Sequence, residues 1–381
     1  MKRTFAAERP SVYLDQWVWI RLAKADVGRP QERDDASVLA AVRAASEAGV
    51  AFPLSASHYF ETLKITHPHQ RKQLAGVMAP ISRCRAIRGG QALIRHQMLT
   101  AMFESFGRPA FRPTSPAVLG VGAHWALVGE HGSFRVHDQR GPVEPQTVPG
   151  LAPWLREANQ YAQLKLLAGP ADDEVDELVR LGYDPNPAHD AERSRLAWEQ
   201  RYEEILSEDS ISRTEMRVRL QARELIHEYL DLFNELMAEY RINPDRAFGV
   251  VSSRPRASRP RMVEFADRIP TLRVAVELKL RRFSNTSKKW GINDLRDIDA
   301  LSRAVPYCDV VVADKEMAGF ATQARIHEDY GTRIISRLSE LPAELPSLIQ
   351  RSADLGGDAS GWDWLGPGEG FNVDEPTRFA G

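Results

Sequence analysis

Cysteine is scarce in this sequence, and neither long apolar runs nor a strong charge imbalance is present. Only Cys84 and Cys308 occur among 381 residues, so a disulfide framework is not implied and a reducing cytoplasm is the expected compartment. No stretch approaches the roughly 18 apolar residues that a membrane helix needs. The basic start of the chain lacks the apolar segment of a signal peptide. A net charge of −2 gives no overall attraction to nucleic acid, so any such contact must come from local basic clusters.

Several catalytic signatures are missing as well. Gly120 and Gly122 are not followed by the third glycine of a dinucleotide-binding loop, because Trp125 stands in its place. The sequence contains neither a Walker motif nor the Gly-x-Ser-x-Gly motif of serine hydrolases. Zinc is not expected either, since the five histidines that could suggest it lack cysteine partners and regular spacing. These histidines are His67, His69, His124, His131 and His137.

The first part of the chain alternates between strand-like and helix-like patterns. Residues 11–15, SVYLD, form an apolar run that predicts a buried strand ending in a carboxylate. Residues 34–48 predict a helix whose apolar face consists of Val38, Leu39, Val42 and Ala45. A second strand is predicted at 50–54, after which Ser55 or Ser57 caps another helix. The apolar positions of that helix are Tyr59, Phe60, Leu63 and Ile65. This order is typical of the start of a parallel α/β sheet.

The middle of the chain has a different character. Residues 107–150 are rich in glycine and proline and predict a hairpin or irregular excursion, with strands at 118–128 and 133–137. Residues 151–243 are predicted to be almost entirely helical, because apolar residues recur at helical spacing, most clearly over 224–240.

The α/β pattern returns near the end. Asn293 or Asp294 is placed to cap a helix that continues through Arg303. Residues 309–314, DVVVAD, predict a buried strand closing on a carboxylate, and 333–336 predict one more strand. We therefore expect an α/β fold with a central parallel sheet flanked by helices and split by a large, mainly helical insertion.

The expected division of the chain follows from these changes in pattern. The two sheet-forming parts are separated by the excursion and the insertion, and a loosely ordered tail follows them. The five segments are 1–106, 107–150, 151–250, 251–351 and 352–381. Part of the tail is expected to dock through its aromatic residues, which are Trp362, Trp364 and Phe371.

Carboxylates stand where the predicted sheet should hold a ligand. Asp15 and Asp314 each end a buried strand, and ligands bind outside the carboxyl ends of parallel strands. Glu61 lies early in the helix after the second strand, so it can face the same edge. Asp294 and Asp297 share one helix face at a spacing of i, i+3. Crowded carboxylates repel each other, and a hard divalent cation such as Mg²⁺ or Mn²⁺ removes that repulsion.

These motifs resemble the PIN-domain metal-dependent ribonucleases. The resemblance is carried by SVYLDQ at 11–16, SASHYFE at 55–61 and NDLRDIDALSRAVPYCDVVVADKEM at 293–317. It covers about 90 residues at the start and about 60 near the end, and it leaves out the helical middle.

The resemblance implies a PIN-like sheet and a Mg²⁺- or Mn²⁺-dependent endonuclease that acts on RNA. The implied catalytic set is Asp15, Glu61, Asp297 and Asp314. The implied metal ligands are Asp15, Asp297, Asp314 and Asp294, with Glu61 completing the cluster or orienting water. For the third acid, Asp294, Asp297 and Asp299 compete, and the spacing to Asp314 favours Asp297.

Other interpretations remain open from the sequence. Residues 274–279, VAVELK, fit either a strand or a helix. As a strand they would give a restriction-endonuclease-like metal site made of Asp245, Glu277 and Lys279. We prefer a helix, because it creates a basic rim for nucleic-acid phosphates. The rim consists of Lys279, Arg281, Arg282, Lys288 and Lys289. A non-catalytic PIN-like module that binds nucleic acid, a protein partner or a second copy of the chain is a further alternative.

Overall fold

The computed structural model describes residues 9–182, 184, 186–208, 211–248, 258–285 and 287–356. The side chains of 186–188 and 207–208 are not described. Trp362, Trp364 and Phe371, which the sequence predicts to dock, lie outside these ranges.

Short strands and many helices make up the described chain. The strands are β1 (Val12–Leu14), β2 (Arg85–Ile87), β3 (Leu119–Val121), β4 (His137–Asp138), β5 (Gly141–Pro142), β6 (Val310–Val312) and β7 (Arg333–Ile335). The helices of the first half are α1 (Gln16–Asp26), α2 (Asp35–Glu47), α3 (Ala56–Leu63), α4 (Pro68–Ser82), α5 (Gly90–Phe106), α6 (Ala123–Leu127), α7 (Leu151–Ala168) and α8 (Val175–Arg180). Those of the second half are α9 (Asn186–Glu208), α10 (Arg213–Glu239), α11 (Pro244–Phe248), α12 (Arg259–Asp267), α13 (Pro270–Ser284), α14 (Ile292–Ala304), α15 (Lys315–Gln323), α16 (Ile326–Tyr330) and α17 (Leu341–Asp354).

The central sheet is parallel and joins the two ends of the chain. Its strand order is β1-β6-β7, with Val12 beside Val310 and Leu14 beside Val312. β1 and β6 are fully buried, as expected for parallel strands covered on both faces. The predicted α/β class and the parallel pairing of these two strands are confirmed.

The two faces of the sheet contribute to separate apolar cores. Tyr13 and Val311 pack into one core, whereas Leu14 and Val312 pack into the other, because successive side chains of a strand point to opposite faces. The helical middle is not separate from this sheet. Helix α10 adds its apolar side chains to the Tyr13 core, with Leu220, Leu225, Phe233, Leu236 and Met237 buried there.

The predicted second strand is reduced to two isolated bridges. Ser11 pairs with Ala51 and Leu54 pairs with Ala86, both in parallel. Pro53 stands between the two bridged positions and has no N–H to donate to a neighbouring strand. The segment 50–54 is therefore extended beside β1 without forming a continuous strand.

The excursion at 107–150 differs more from the prediction. Within the strand predicted at 118–128, only Leu119–Val121 form a strand, β3, which pairs antiparallel with β2. Gly122, at a φ of +94°, then turns the chain into α6, and such a φ favours glycine. The strand predicted at 133–137 is also wrong, because only a two-residue pairing of β4 with β5 forms there.

The helical predictions agree better with the structure. Residues 151–243 form α7 to α10 within the described ranges, and none of their described residues joins the central sheet. Residues 274–279 lie inside α13, so the preference for a helix there is confirmed. Among the residues described, no helix is both long and apolar enough to cross a membrane.

Candidate carboxylate site

Asp15 and Asp314 lie side by side at the carboxyl edge of the sheet. Each follows its strand and caps the helix that begins there. Asp15 Oδ1 accepts a hydrogen bond from the N–H of Gln16 at 2.6 Å, and Asp314 Oδ1 accepts from Glu316 and Met317 at 2.6 and 3.0 Å. The backbone N–H of Asp15 also donates to the carbonyl of Val312 at 3.0 Å. The predicted convergence of these two residues is confirmed.

The surroundings of Asp15 disfavour its charge. Burial raises the pKa of Asp15 to about 6, a hydrogen bond from the Gln16 N–H opposes the rise, and the charge of Asp314 adds to it. A second carboxyl group close by thus favours the neutral form of Asp15.

Glu61 reaches this edge because the start of α3 is tied to the end of β1. His58 Nδ1 accepts the N–H of Ser55 at 2.8 Å, so its Nε2–H donates to the carbonyl of Leu14, also at 2.8 Å. Tyr13 Oη lies 3.1 Å from Ser55 Oγ. This buried network is not evident from the sequence, although Ser55 with a polar residue three positions later is a recognisable capping pattern.

The pKa of Glu61 rises to about 7 because of burial and the charge of Asp15, while Arg296 opposes that rise and Glu192 adds to it. Glu61 therefore interacts electrostatically with the carboxylate that follows β1. It also lies near an arginine and a glutamate that the sequence analysis did not single out.

Asp297 completes the cluster from α14. Burial raises its pKa to about 8, and the charges of Asp15, Asp314 and Glu61 add to the effect in that order. Helix α14 packs against α3, which places Asp297 near Glu61. Four carboxylates thus lie within electrostatic reach of one another.

The two competitors of Asp297 are occupied by cations. Asp294 accepts hydrogen bonds from Lys288 Nζ and the Gly291 N–H, each at 2.8 Å, and Arg282 Nε lies 3.3 Å away. Asp299 is held by Arg195 through two hydrogen bonds of 2.8 and 3.0 Å. Of the three acids, Asp297 is the one whose pKa the other carboxylates raise, which supports it as the third acid of the site.

The predicted basic rim is wrong for three of its five residues. Lys279 is 2% exposed and donates to Glu199 and Glu224 at 2.7 Å each. Arg281 is buried against Glu277 at 2.6 Å, and Arg282 is fully buried. Lys288 and Lys289 are exposed, but Lys288 also bridges Asp294 and Glu316.

The restriction-endonuclease-like alternative does not fit the structure. Asp245 is an exposed residue of α11, whereas Glu277 and Lys279 lie in α13 rather than on a strand. Glu277 is paired with Arg217 at 2.6 Å, and Lys279 is surrounded by other carboxylates. These residues therefore do not form a joint site.

The carboxylate cluster offers only oxygen ligands, which is the donor chemistry that Mg²⁺ and Mn²⁺ prefer. In the positions described, however, no group of three or more His, Cys, Asp or Glu side chains is arranged so that it could hold a metal ion. The donor set fits a divalent cation in its chemistry, and binding one would require the side chains to move closer together.

No protein-family model, no curated protein and no solved structure matches this chain. A function for it is therefore inferred from the geometry of the site and from the resemblance of its motifs.

Proposed function

We propose that this protein is a PIN-like, metal-dependent endonuclease that hydrolyses phosphodiester bonds, with RNA as the preferred substrate. The observation that carries the proposal is the position of Asp15 and Asp314 just after two adjacent parallel strands, β1 and β6, at the same edge of the sheet. Glu61 and Asp297 lie close enough to Asp15 for its charge to raise the pKa of each. The buried thiols of Cys84 and Cys308 suit a reducing compartment, and we expect the protein in the cytoplasm.

In this proposal, Asp15, Asp297 and Asp314 hold Mg²⁺ or Mn²⁺. When bound, the cation supplies positive charge for the phosphodiester oxygens and lowers the pKa of a water molecule. Asp294 is not included, because Lys288 and Arg282 already neutralise it.

The protein's own groups orient the reacting species. The N-cap hydrogen bonds hold the Asp15 and Asp314 carboxylates in fixed directions at the sheet edge. Glu61, with a pKa of about 7, orients the attacking water and accepts its proton, since a general base works best when its pKa is near the working pH.

One finding favours a second candidate, a non-catalytic module that binds nucleic acid or a protein partner. The described side chains are not arranged to ligate a metal ion. A protein that binds nucleic acid but never cleaves it would have this property without any rearrangement.

Asp15→Asn tests the proposal against a matched control. The variant should abolish Mn²⁺-dependent cleavage of a mixed single-stranded RNA and DNA substrate, because it removes one anionic ligand. Its melting temperature should be equal to or above that of the wild type, because repulsion among the carboxylates falls. Cleavage that persists in EDTA, or an Asp15→Asn variant as active as wild type, would reject the proposal.

Asp309→Asn is the control because Asp309 lies at the opposite end of β6. Its carboxylate accepts the Ser11 N–H at 2.9 Å and pairs with Arg351 at 2.8 Å. This variant should lose stability by about 1–2 kcal/mol and keep its cleavage rate per folded molecule. Wild-type protein that binds RNA without cleaving it would favour the non-catalytic module.

A further inference from the structure

A cleft of about 600 Å³ lies beside the carboxylate cluster, between α3, α6, α9, α10, α14 and the start of α5. Phe60, Leu63 and Leu127 line it, and each of them is between 38 and 44% exposed. Charged side chains of both signs also line it, most of them from α9 and α14, with Lys64, Asp184 and Glu228 in addition. The cleft therefore combines an apolar surface with a row of charges.

The charged surface is a regular series of ion pairs between two helices. Helix α14 presents Arg296, Asp299 and Arg303 at i, i+3 and i+7, which places them along one side of the helix. Glu192 of α9 holds Arg296 through Nε at 2.6 Å and through Nη2. Arg195, one turn later in α9, holds Asp299 at 2.8 Å.

The series stops at its third position. The next acid along α9 is Glu199, but its carboxylate is already bound to Lys279 and Arg223, each at 2.7 Å. Arg303 consequently has no salt bridge to any described residue, and its buried Nε has no hydrogen-bond partner. Its charge acts on Asp299, but Arg195 already holds that carboxylate through two hydrogen bonds.

Arg303 also lies against the first turn of α5. A Cβ atom at Gly90 would come within 2.8 Å of its guanidinium, so glycine at this position permits the contact. The first turn of a helix carries partial positive charge. A guanidinium beside it is unfavourable unless an anion lies between or next to them.

Arg296 supplies a second unused donor in the same cleft. The residue is 6% exposed, and Glu192 occupies two of its nitrogens. The third nitrogen, Nη1, is buried and has no hydrogen-bond partner among the described residues. Arg296 also lies close enough to Glu61 and Asp297 to interact with their charges, so this donor is next to the carboxylate cluster.

We propose that this cleft holds the nucleic-acid strand next to the cleavage site, with phosphates on Arg296 and Arg303 and a base against Phe60. The two arginines are seven residues apart on α14, which corresponds to a rise of about 10.5 Å along the helix. That separation suits two phosphates of one strand. The assignment rests on the proposed nuclease function, and it gives the helical middle of the chain a direct role, because Glu192 positions Arg296.

The test measures binding separately from cleavage. A fluorescently labelled single-stranded oligonucleotide of mixed sequence is titrated with the full chain in EDTA, and anisotropy gives Kd at several salt concentrations. Arg303→Gln should weaken binding about tenfold and lower the slope of log K against log salt by about 0.7. Arg29→Gln changes an exposed arginine in the loop after α1; it is the matched control and should change neither value.

Two further variants test the other parts of the cleft. Gly90→Ala should weaken binding in the same direction as Arg303→Gln, because the added Cβ displaces the guanidinium. Phe60→Ala should weaken binding about fivefold or more without changing the salt slope, since a stacked base carries no charge.

The outcomes separate this inference from the nuclease proposal. If Arg303→Gln binds as tightly as wild type with the same salt slope, the cleft does not hold a phosphate and the inference is overturned, even if cleavage is intact. If binding depends on Arg303 and Phe60 but wild type does not cleave with Mn²⁺, the cleft is supported and the nuclease proposal fails. If wild type does not bind the oligonucleotide at all, the inference is overturned.

Discussion

Two groups of buried acids in this protein have opposite electrostatic surroundings. Between α9, α10 and α13, Glu199 and Glu224 share Lys279, and Arg223 contacts Glu199 as well. At the sheet edge, the charge of Asp314 raises the pKa of Asp15, and the charges of Asp15, Asp314 and Glu61 raise the pKa of Asp297. Glu199 and Glu224 are more deeply buried than Asp15 and Asp297, so burial alone does not explain the difference.

The difference lies in the cations that the fold supplies to each group of acids. A buried charge is tolerated when it is paired and hydrogen-bonded, and Glu199 and Glu224 meet this condition. The sheet-edge group meets it less well. Arg296 acts on the charges of Glu61 and Asp297, but Lys288 and Arg282 are directed to Asp294, and Arg195 to Asp299. Carboxylates whose pKa is raised by burial and by one another are typical of a functional site, and in the proposal above an external cation completes this one.

The largest expected effect comes from breaking the paired group. Lys279→Met removes the ammonium and leaves two buried carboxylates facing each other. We expect the free energy of unfolding to fall by about 3–5 kcal/mol, measured by urea denaturation. Lys289→Met, at an exposed position, should stay within about 0.5 kcal/mol of wild type. An equally mild effect at Lys279 would show that this network does not stabilise the fold.

Removing a charge from the unpaired group should have the opposite sign. Folding raises the pKa of Asp15, Glu61 and Asp297 to about 6, 7 and 8. The folded protein therefore holds protons that the unfolded chain has released. The stability that these groups contribute is present below about pH 4 and is lost as pH rises through these values.

We expect the metal-free protein to become less stable from about pH 5 to pH 9 and Asp297→Asn to reduce that loss. At pH 8.5 the variant should be about 1–3 kcal/mol more stable than wild type. Asp294→Asn is the matched control on the same helix, and it should be less stable than wild type because Lys288 and Arg282 lose their partner. Identical pH profiles for wild type and Asp297→Asn would contradict the account. Urea denaturation in EDTA at several pH values measures the free energy of unfolding of the wild type and of both variants.

The sequence was informative about the sheet edge because the signals there are local. Asp15 and Asp314 each follow an apolar run, and parallel pairing brings the ends of such runs together. Glu61 needed only the capping pattern at Ser55 to place its helix.

Long-range charge pairing could not be predicted in this way. Lysine is a residue type normally found at the surface, and the burial of Lys279 depends on its ion pair with Glu199, which is 80 residues away in the sequence. The choice of Asp297 over Asp294 likewise depends on which acid Lys288 and Arg282 contact. The strand predicted at 118–128 is wrong for a local reason, because Gly122 follows the end of β3 and caps the start of α6.

The most direct test is calorimetric titration of the metal-free protein with Mn²⁺ at pH 7 in two buffers of different ionisation enthalpy. Asp297, with a pKa of about 8, is mostly protonated at this pH, so Mn²⁺ binding should release about one proton per ion. Asp297→Asn should bind more weakly and release fewer protons, and Asp15→Asn should bind more weakly still. A metal site at this sheet edge would be contradicted if the wild type bound no Mn²⁺. It would also be contradicted if the wild type and Asp15→Asn bound Mn²⁺ equally tightly and the wild type released no protons.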